Sequence, residues 1–178
     1  MLSEKRIKEA EANVRNYLKE GLLKRQTNET AKEMYIENSN LSLQTSQKLF
    51  SLEDLNYKPY LWIIVSSYYA MYYIANAVLL SLNYKVGDKI SHKITEDSLI
   101  VFVRNKLKKE MIDEYESMKK DALEITSSKT DDLLQSFEFE REKRSKFQYQ
   151  MDEQIKKTKA LTSLERAKQF IFEMKKLL

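Results

Sequence analysis

Cysteine is absent from the 178 residues, and glycine and proline are nearly so, at two and one. Without cysteine there is no disulfide framework, no thiol nucleophile and no cysteine-based zinc site, a composition that suits a reducing compartment. Glycine and proline together average roughly 12% of protein residues, so their scarcity here excludes collagen-like, loop-rich and sandwich architectures. Histidine is equally scarce, His92 being the only one. Paired Glu-x-x-His di-iron sites and His-Glu-x-x-His zinc sites each need at least two imidazoles, so both are excluded and no metal or cofactor is expected. Nor does one sign of charge dominate. Thirty-one basic residues face 27 acidic ones, for a net charge of +4 and a pI near 9.0. That balance permits a polyanionic partner without demanding one.

Charge itself is abundant, at 33% of residues, and the length suits one domain with one core. The amino terminus has no apolar stretch of the secretory kind. Glu4, Glu9 and Glu11 disfavour a mitochondrial presequence, so the expected location is the cytoplasm. From Ser3 to about Gln26, Ile7, Ala10, Val14, Leu18 and Leu22 recur at helical steps, with Gly21 weakening the last turns only modestly. A second helix is predicted from about Asn28 to Asp54. Pro59 fits the first turn of a third, where its missing N–H costs nothing. Gly87-Asp88 marks a turn before a helix over about Ile94 to Lys109, followed by a charged helix from about Glu110 to Ile125. Asp131 and Asp132 suggest the start of another stretch towards Arg144. Lys156-Lys157-Thr158-Lys159 reads as linker-like, and Thr162 with Glu165 as a capping box opening the last helix. No strand-like alternation competes.

The third helix is the most informative. No charge falls between Lys58 and Lys85, and the run is long enough to cross a bilayer. Yet Tyr68, Tyr69, Tyr72 and Tyr73 sit in its middle, whereas membrane helices carry tyrosine at their ends. Ser66, Ser67 and Asn76 add polar groups at the same depth. The run therefore reads as a core helix wrapped by amphipathic neighbours. Ser67, Ala70, Ile74 and Ala77 form a stripe of mostly small residues that admits one neighbour closely.

Two basic clusters could meet phosphates. Arg104, Lys106, Lys108 and Lys109 equally read as a solvated helix face. Arg141, Lys143, Arg144 and Lys146 are interleaved with Phe139, Phe147 and Tyr149, whose rings either stack on bases or belong to the core. His92, at the entrance to a helix, is suited to proton transfer near neutral pH or simply to packing at a helix end.

The stretch Ser66-Ser67-Tyr68-Tyr69-Ala70-Met71-Tyr72-Tyr73-Ile74-Ala75-Asn76-Ala77-Val78-Leu79-Leu80 resembles the signature helix of HEPN (higher eukaryotes and prokaryotes nucleotide-binding) domains. The order of landmarks is similar too. A short turn leads to a histidine opening the next helix, as at His92, and the last helix has alanine-spaced positions, as in Ala167-Lys168-Gln169-Phe170-Ile171. The resemblance covers roughly residues 30 to 178, and residues 1–27 resemble the helical extension of prokaryotic members. It implies a homodimer with its site at the interface. In the RNase branch of the family the motif is Arg, four residues, then His. Here the run is Arg144-Ser145-Lys146-Phe147-Gln148-Tyr149, with tyrosine in the histidine's place. In the family the histidine is thought to assist proton transfer at the attacking 2′-hydroxyl and the arginine to bind the scissile phosphate. Tyrosine, with a pKa near 10, is a poor base at neutral pH but still stacks and hydrogen-bonds. Residues five apart on a regular helix point roughly 140° from each other. Arg144 and Tyr149 therefore need a helix break or a two-fold axis to share a site. In family toxin pairs a minimal nucleotidyltransferase modifies a tyrosine two residues beyond the motif's histidine. Met151 stands there in this chain.

The expectation is an all-α, up-and-down antiparallel bundle of five or six helices over residues 1–178, a HEPN-like four-helix core plus the N-terminal helix. As a homodimer it would bind RNA or a nucleotide through Arg141, Arg144, Lys146 and Tyr149, with His92 contributing. The alternatives are a non-catalytic module partnering a minimal nucleotidyltransferase, and an active metal-independent endoribonuclease.

Overall fold

The computed structural model describes residues 2–52, 58–135 and 153–178. Among them are six α-helices and one two-stranded ribbon, an all-α bundle. In chain order these are α1 (Glu4–Lys19), β1 (Leu23–Arg25), α2 (Glu29–Ser51), α3 (Tyr60–Ser81), β2 (Tyr84–Val86), α4 (Ser91–Phe102), a 3-10 turn (Arg104–Lys106), α5 (Lys109–Gln135) and α6 (Glu153–Lys175).

Side-chain capping starts the first two helices. The Ser3 hydroxyl accepts from the Arg6 N–H at 3.2 Å, and the Asn28 carbonyl oxygen accepts from the Ala31 N–H at 2.9 Å. Pro59 stands at the N-cap of α3, one residue before the first turn in which the sequence places it. The end of α1 differs from the sequence expectation. Gly21 takes φ +68° and Leu22 N–H donates to the Tyr17 carbonyl at 2.9 Å, so the glycine stops the helix at Lys19 in a Schellman turn. Leu22 is therefore not part of the helical stripe, and the chain turns instead into β1.

No strand was expected, yet β1 pairs antiparallel with β2, Leu23 opposite Val86 and Arg25 opposite Tyr84. Three-residue strands are too short to show alternation, and the ribbon's cause is positional. Asn83, at φ +65°, ends α3 in the same left-handed way that Gly21 ends α1. Gly87 then donates its N–H to the Leu22 carbonyl at 2.8 Å, where a Cβ would come within 2.9 Å of that oxygen. Residues 2–27 are thus stitched to the bundle at β1 as well as through α1.

Three other boundaries move. The segment predicted over Ile94–Lys109 is a helix from Ser91 to Phe102, then the 3-10 turn. α5 runs unbroken through Asp131 and Asp132 to Gln135, so those residues start no new helix. The last helix opens at Glu153, not at Thr162, and takes in the supposed linker at Lys156–Lys159. The Thr162 hydroxyl donates back to the Thr158 carbonyl at 2.9 Å, a bond within the helix and not a cap.

α3 is the axis of the molecule and packs against α2, α4, α5 and α6, while α1 lies on α4. It is long and apolar enough to span a membrane, but 83% of its most apolar window is buried inside the bundle. The small-residue stripe does what its composition predicts. Ser67, Ala70, Ile74 and Ala77 are fully buried. Opposite them, Ser39 of α2 donates to the Ala70 carbonyl at 2.7 Å and Ser46 to the Ile63 carbonyl at 3.2 Å. With the Ser46 proton so engaged, the 2.6 Å Ser46–Ser67 contact assigns Ser67 as donor. Aromatic packing continues to the far side, Tyr68 on Tyr115 of α5 at 5.9 Å and Tyr115 stacked on Phe170 of α6 at 5.5 Å between ring centroids.

Because α2 and α3 meet backbone to side chain at Ala70, Ala70→Leu should cost about 1–3 kcal/mol by overpacking. The midpoint of urea unfolding is the check, and an unchanged midpoint would mean the two helices do not pack this closely.

Candidate functional site

The αL conformation of Ile90 (φ +46°), rare for a β-branched residue, turns the chain into α4 and sets His92 in the first turn. His92 lies half-buried over α3. Its ring sits 4.4 Å from that of Tyr72, 5.6 Å from Tyr68 and 5.8 Å from Tyr69, and its Nδ1 is 2.6 Å from the Tyr68 hydroxyl. His92 thus packs at the opening of α4 against α3.

Burial holds the Tyr68 hydroxyl far above its ordinary pKa, and burial together with the neighbouring Tyr68 does the same for Tyr115. The 2.6 Å contact serves either imidazole tautomer; since burial keeps the Tyr68 proton in place, we assign Tyr68 as the donor to His92 Nδ1 and the ring proton to Nε2. Burial, and secondarily the charge of Lys119, lowers the His92 pKa below 6.5. At neutral pH His92 is thus a neutral ring with one committed acceptor and one N–H donor.

Next to it lies a buried ionic cluster. Asp97 of α4 is fully buried, and Glu96 nearly so. Arg6 of α1 reaches both, with Nη2 at 2.7 Å from Glu96 Oε1 and Nη1 at 2.8 Å from Asp97 Oδ1, while its Nε is 3.1 Å from Glu116 Oε1. Asn13 and Tyr17, also on α1, donate to Asp97 Oδ2 at 3.0 and 2.9 Å. Lys119 of α5 pairs with the other Glu96 oxygen. Burial of Arg6 opposes its charge, but Asp97 and Glu116 more than offset this and raise its pKa. Burial, reinforced by the charges of Lys93 and Arg6, lowers Lys119 to about 8. Burial and Asp97 raise Tyr17. The cluster is structural in its geometry, because every carboxylate is matched by a cation or a hydrogen-bond donor.

Sequence reading missed this cluster, although Arg6, Asn13 and Tyr17 fall at seven- and four-residue steps, the polar members of the same buried face as Ala10 and Val14. The run Thr95-Glu96-Asp97-Ser98, wholly buried, was the other signal.

A groove of about 350 Å³ opens between α2 and α3, lined by Leu49, Trp62, Val65, Tyr69 and Tyr73 together with Ser42, Thr45 and Ser66. Its lining carries no charge. Tyr69 belongs both to the groove and to the ring cluster around His92.

Of the predicted site residues, Arg141, Arg144, Lys146 and Tyr149 lie outside the described residues, and His92 is the one the structure places. In the other basic cluster, Arg104 donates to the Ile100 carbonyl at 2.8 Å and faces Glu11 at 3.9 Å, while Lys106 and Lys108 are exposed. This is the solvated face of the plainer reading. Among the described residues no group of three His, Asp or Glu side chains is placed to hold a metal ion. The chain matches no protein-family model, no curated protein and no solved structure.

Two measurements follow from this geometry. A ¹⁵N NMR titration of the single histidine should show the Nε2–H tautomer and a pKa below 6.5. A base held neutral in the fold and free to protonate in the unfolded chain gives stability that is complete above pH 6.5 and is lost as pH falls through the folded pKa. His92→Phe should flatten that part of the stability profile, and an Nδ1–H tautomer would overturn the assignment. Separately, Arg6→Ala strands Asp97 and Glu96 without their guanidinium and should destabilise the chain by about 3–5 kcal/mol. Thermal unfolding measures this, and a loss under 1 kcal/mol would show that α1 is not keyed by charge.

Proposed function

We propose that the chain is a cytoplasmic HEPN-type protein that binds RNA or a nucleotide as a homodimer, with a degenerate RNase motif. The observation that carries the reading is His92 resting on Tyr68 and Tyr72, which brings the histidine of the resemblance against the Tyr-Tyr-Ala-Met helix. The neutral Nε2–H is a donor suited to a phosphate or base oxygen. The rings of Tyr69, Tyr73 and Trp62 offer faces for stacking beside it. Arg141, Arg144 and Lys146 supply the charge for phosphates, and Tyr149 takes the place of a histidine base. With Nδ1 engaged by Tyr68, His92 does not replace that base, so binding without cleavage is the consistent outcome.

The test is fluorescence anisotropy with single-stranded RNA and with nucleotides, run beside a metal-free nuclease assay. Wild type should bind RNA or a nucleotide and leave RNA intact, and Arg141→Ala with Arg144→Ala should weaken binding at least about tenfold, with a shallower salt dependence. Tyr149→His should gain cutting. Binding indifferent to both arginines would sink the proposal, and cleavage by wild type would establish the active-ribonuclease alternative. No binding, together with a stable complex with a nucleotidyltransferase, would establish the interaction module instead.

A further inference from the structure

α2 presents an outward stripe of apolar side chains. Met34, Leu41 and Leu52 are 57, 52 and 60% exposed, although each is a large hydrophobe. Thr45 joins them. It is exposed at the edge of the α2–α3 groove, and its hydroxyl donates to the Leu41 carbonyl at 2.9 Å. The steps from 34 to 41, 45 and 52 are seven, four and seven residues, which at about 100° per residue keeps all four within about 20° of one line. This face is separate from the inner one, where Ser39 and Ser46 meet α3.

The spacing is palindromic. Positions 34 and 52, and positions 41 and 45, are both centred on position 43. Turning one copy about a two-fold axis at that level lays α2 antiparallel on its counterpart, with Met34 over the partner's Leu52 and Leu41 over the partner's Thr45. A closed dimer requires such a self-complementary surface, because both copies use the same patch. Charge agrees with shape. Glu37 and Lys48 are exposed on the same flank of the stripe, six residues before and five after the centre. The same two-fold axis therefore places Glu37 of each copy beside Lys48 of the other. Neither residue has an ion-pair partner within the described chain. A shift of one helical turn would lose both the apolar matches and the charge matches.

We infer that the outer face of α2 is a dimer interface, with a second copy of this chain packed antiparallel along the stripe of Met34, Leu41, Thr45 and Leu52. The inference deepens the homodimer of the proposed function by naming the surface that two copies share, and its argument rests on the geometry of α2 and not on RNA binding.

The native chain has no cysteine, which gives a clean background for the test. Light scattering of wild type should give twice the 21.2 kDa chain mass. Leu41→Glu, on the solvent side of the helix, should raise the dissociation constant at least about 30-fold with an unchanged circular dichroism spectrum. Glu37→Lys and Lys48→Glu should each weaken the dimer and together restore it. Met34→Cys and Leu52→Cys proteins should each fail to cross-link alone, since residue 34 and its copy would lie about 27 Å apart along the axis. Mixed and oxidised, they should form a disulfide, which needs Cα atoms within about 7 Å. A monomeric wild type overturns the inference. So does a dimer that survives Leu41→Glu and gives no mixed disulfide. A monomeric wild type also removes the homodimer from the proposed function, whereas the second result leaves a dimer through another face; RNA binding at Arg141 and Arg144 is read separately, from the anisotropy experiment.

Discussion

α3 has no polar face to turn towards water, and the rest of the molecule is arranged around that constraint. A helix apolar on all sides must be enclosed on all sides, and α2, α4, α5 and α6 each take a share of it. Where its residues are small, α2 comes close enough for serine hydroxyls to reach α3 carbonyls. Where they are tyrosines, the neighbours must supply something more. A buried phenol without a hydrogen bond costs about 1–3 kcal/mol, and His92 of α4 meets that need for Tyr68. The placement of the histidine is thus a consequence of core packing before it is anything else.

The ionic cluster solves a different problem, the attachment of α1. Its apolar face is short, with only Ala10, Val14 and Tyr17 buried among the residues of α1. An apolar contact of that size would tolerate several positions along α4. Asp97 removes the ambiguity, because Arg6, Asn13 and Tyr17 all have to converge on one carboxylate. Burying these charges is costly, and well-packed hydrophobes often serve stability as well. Register is what the charges contribute here. The cluster also bears on His92 through Lys119, which Glu96 holds in place and whose positive charge adds to the larger effect of burial in lowering the imidazole pKa.

How much of this the sequence discloses depends on the range of the interaction that decides each feature. The buried helix, the small stripe and the Pro59 start are legible because apolar periodicity and local sterics decide them. The end of α1 is not legible from the poor helix propensity of Gly21 alone. Its role is the left-handed turn completed by Leu22 and Tyr17. β1 and β2 are not legible in the sequence, since 58 residues of chain separate strands only three residues long. Thr162 and Glu165 have the spacing of a cap but sit inside a helix, where Leu164, Ala167 and Ile171 continue a buried face already begun at Ala160. At the site, His92 stands out in the sequence because it is solitary. The ionic cluster next to it does not, because Asp97 and Arg6 are 91 residues apart and look like ordinary surface charge until folding joins them.

The hydrogen bond from Tyr68 also sets what His92 can do. A general base needs a free lone pair within reach of the proton it removes. In His92 the Nδ1 lone pair accepts from a phenol that burial prevents from ionising, and Nε2 already carries a proton. Protonation at low pH would turn Nδ1 into a donor and break the present arrangement, in a pocket where Lys119 and desolvation both oppose the added charge. Either route to acid–base catalysis therefore begins by disrupting the contact that seats α4 on α3. Acting as a donor through Nε2–H costs nothing of the kind. The same packing that fixes the histidine in place makes it better fitted to hold a ligand than to move its protons.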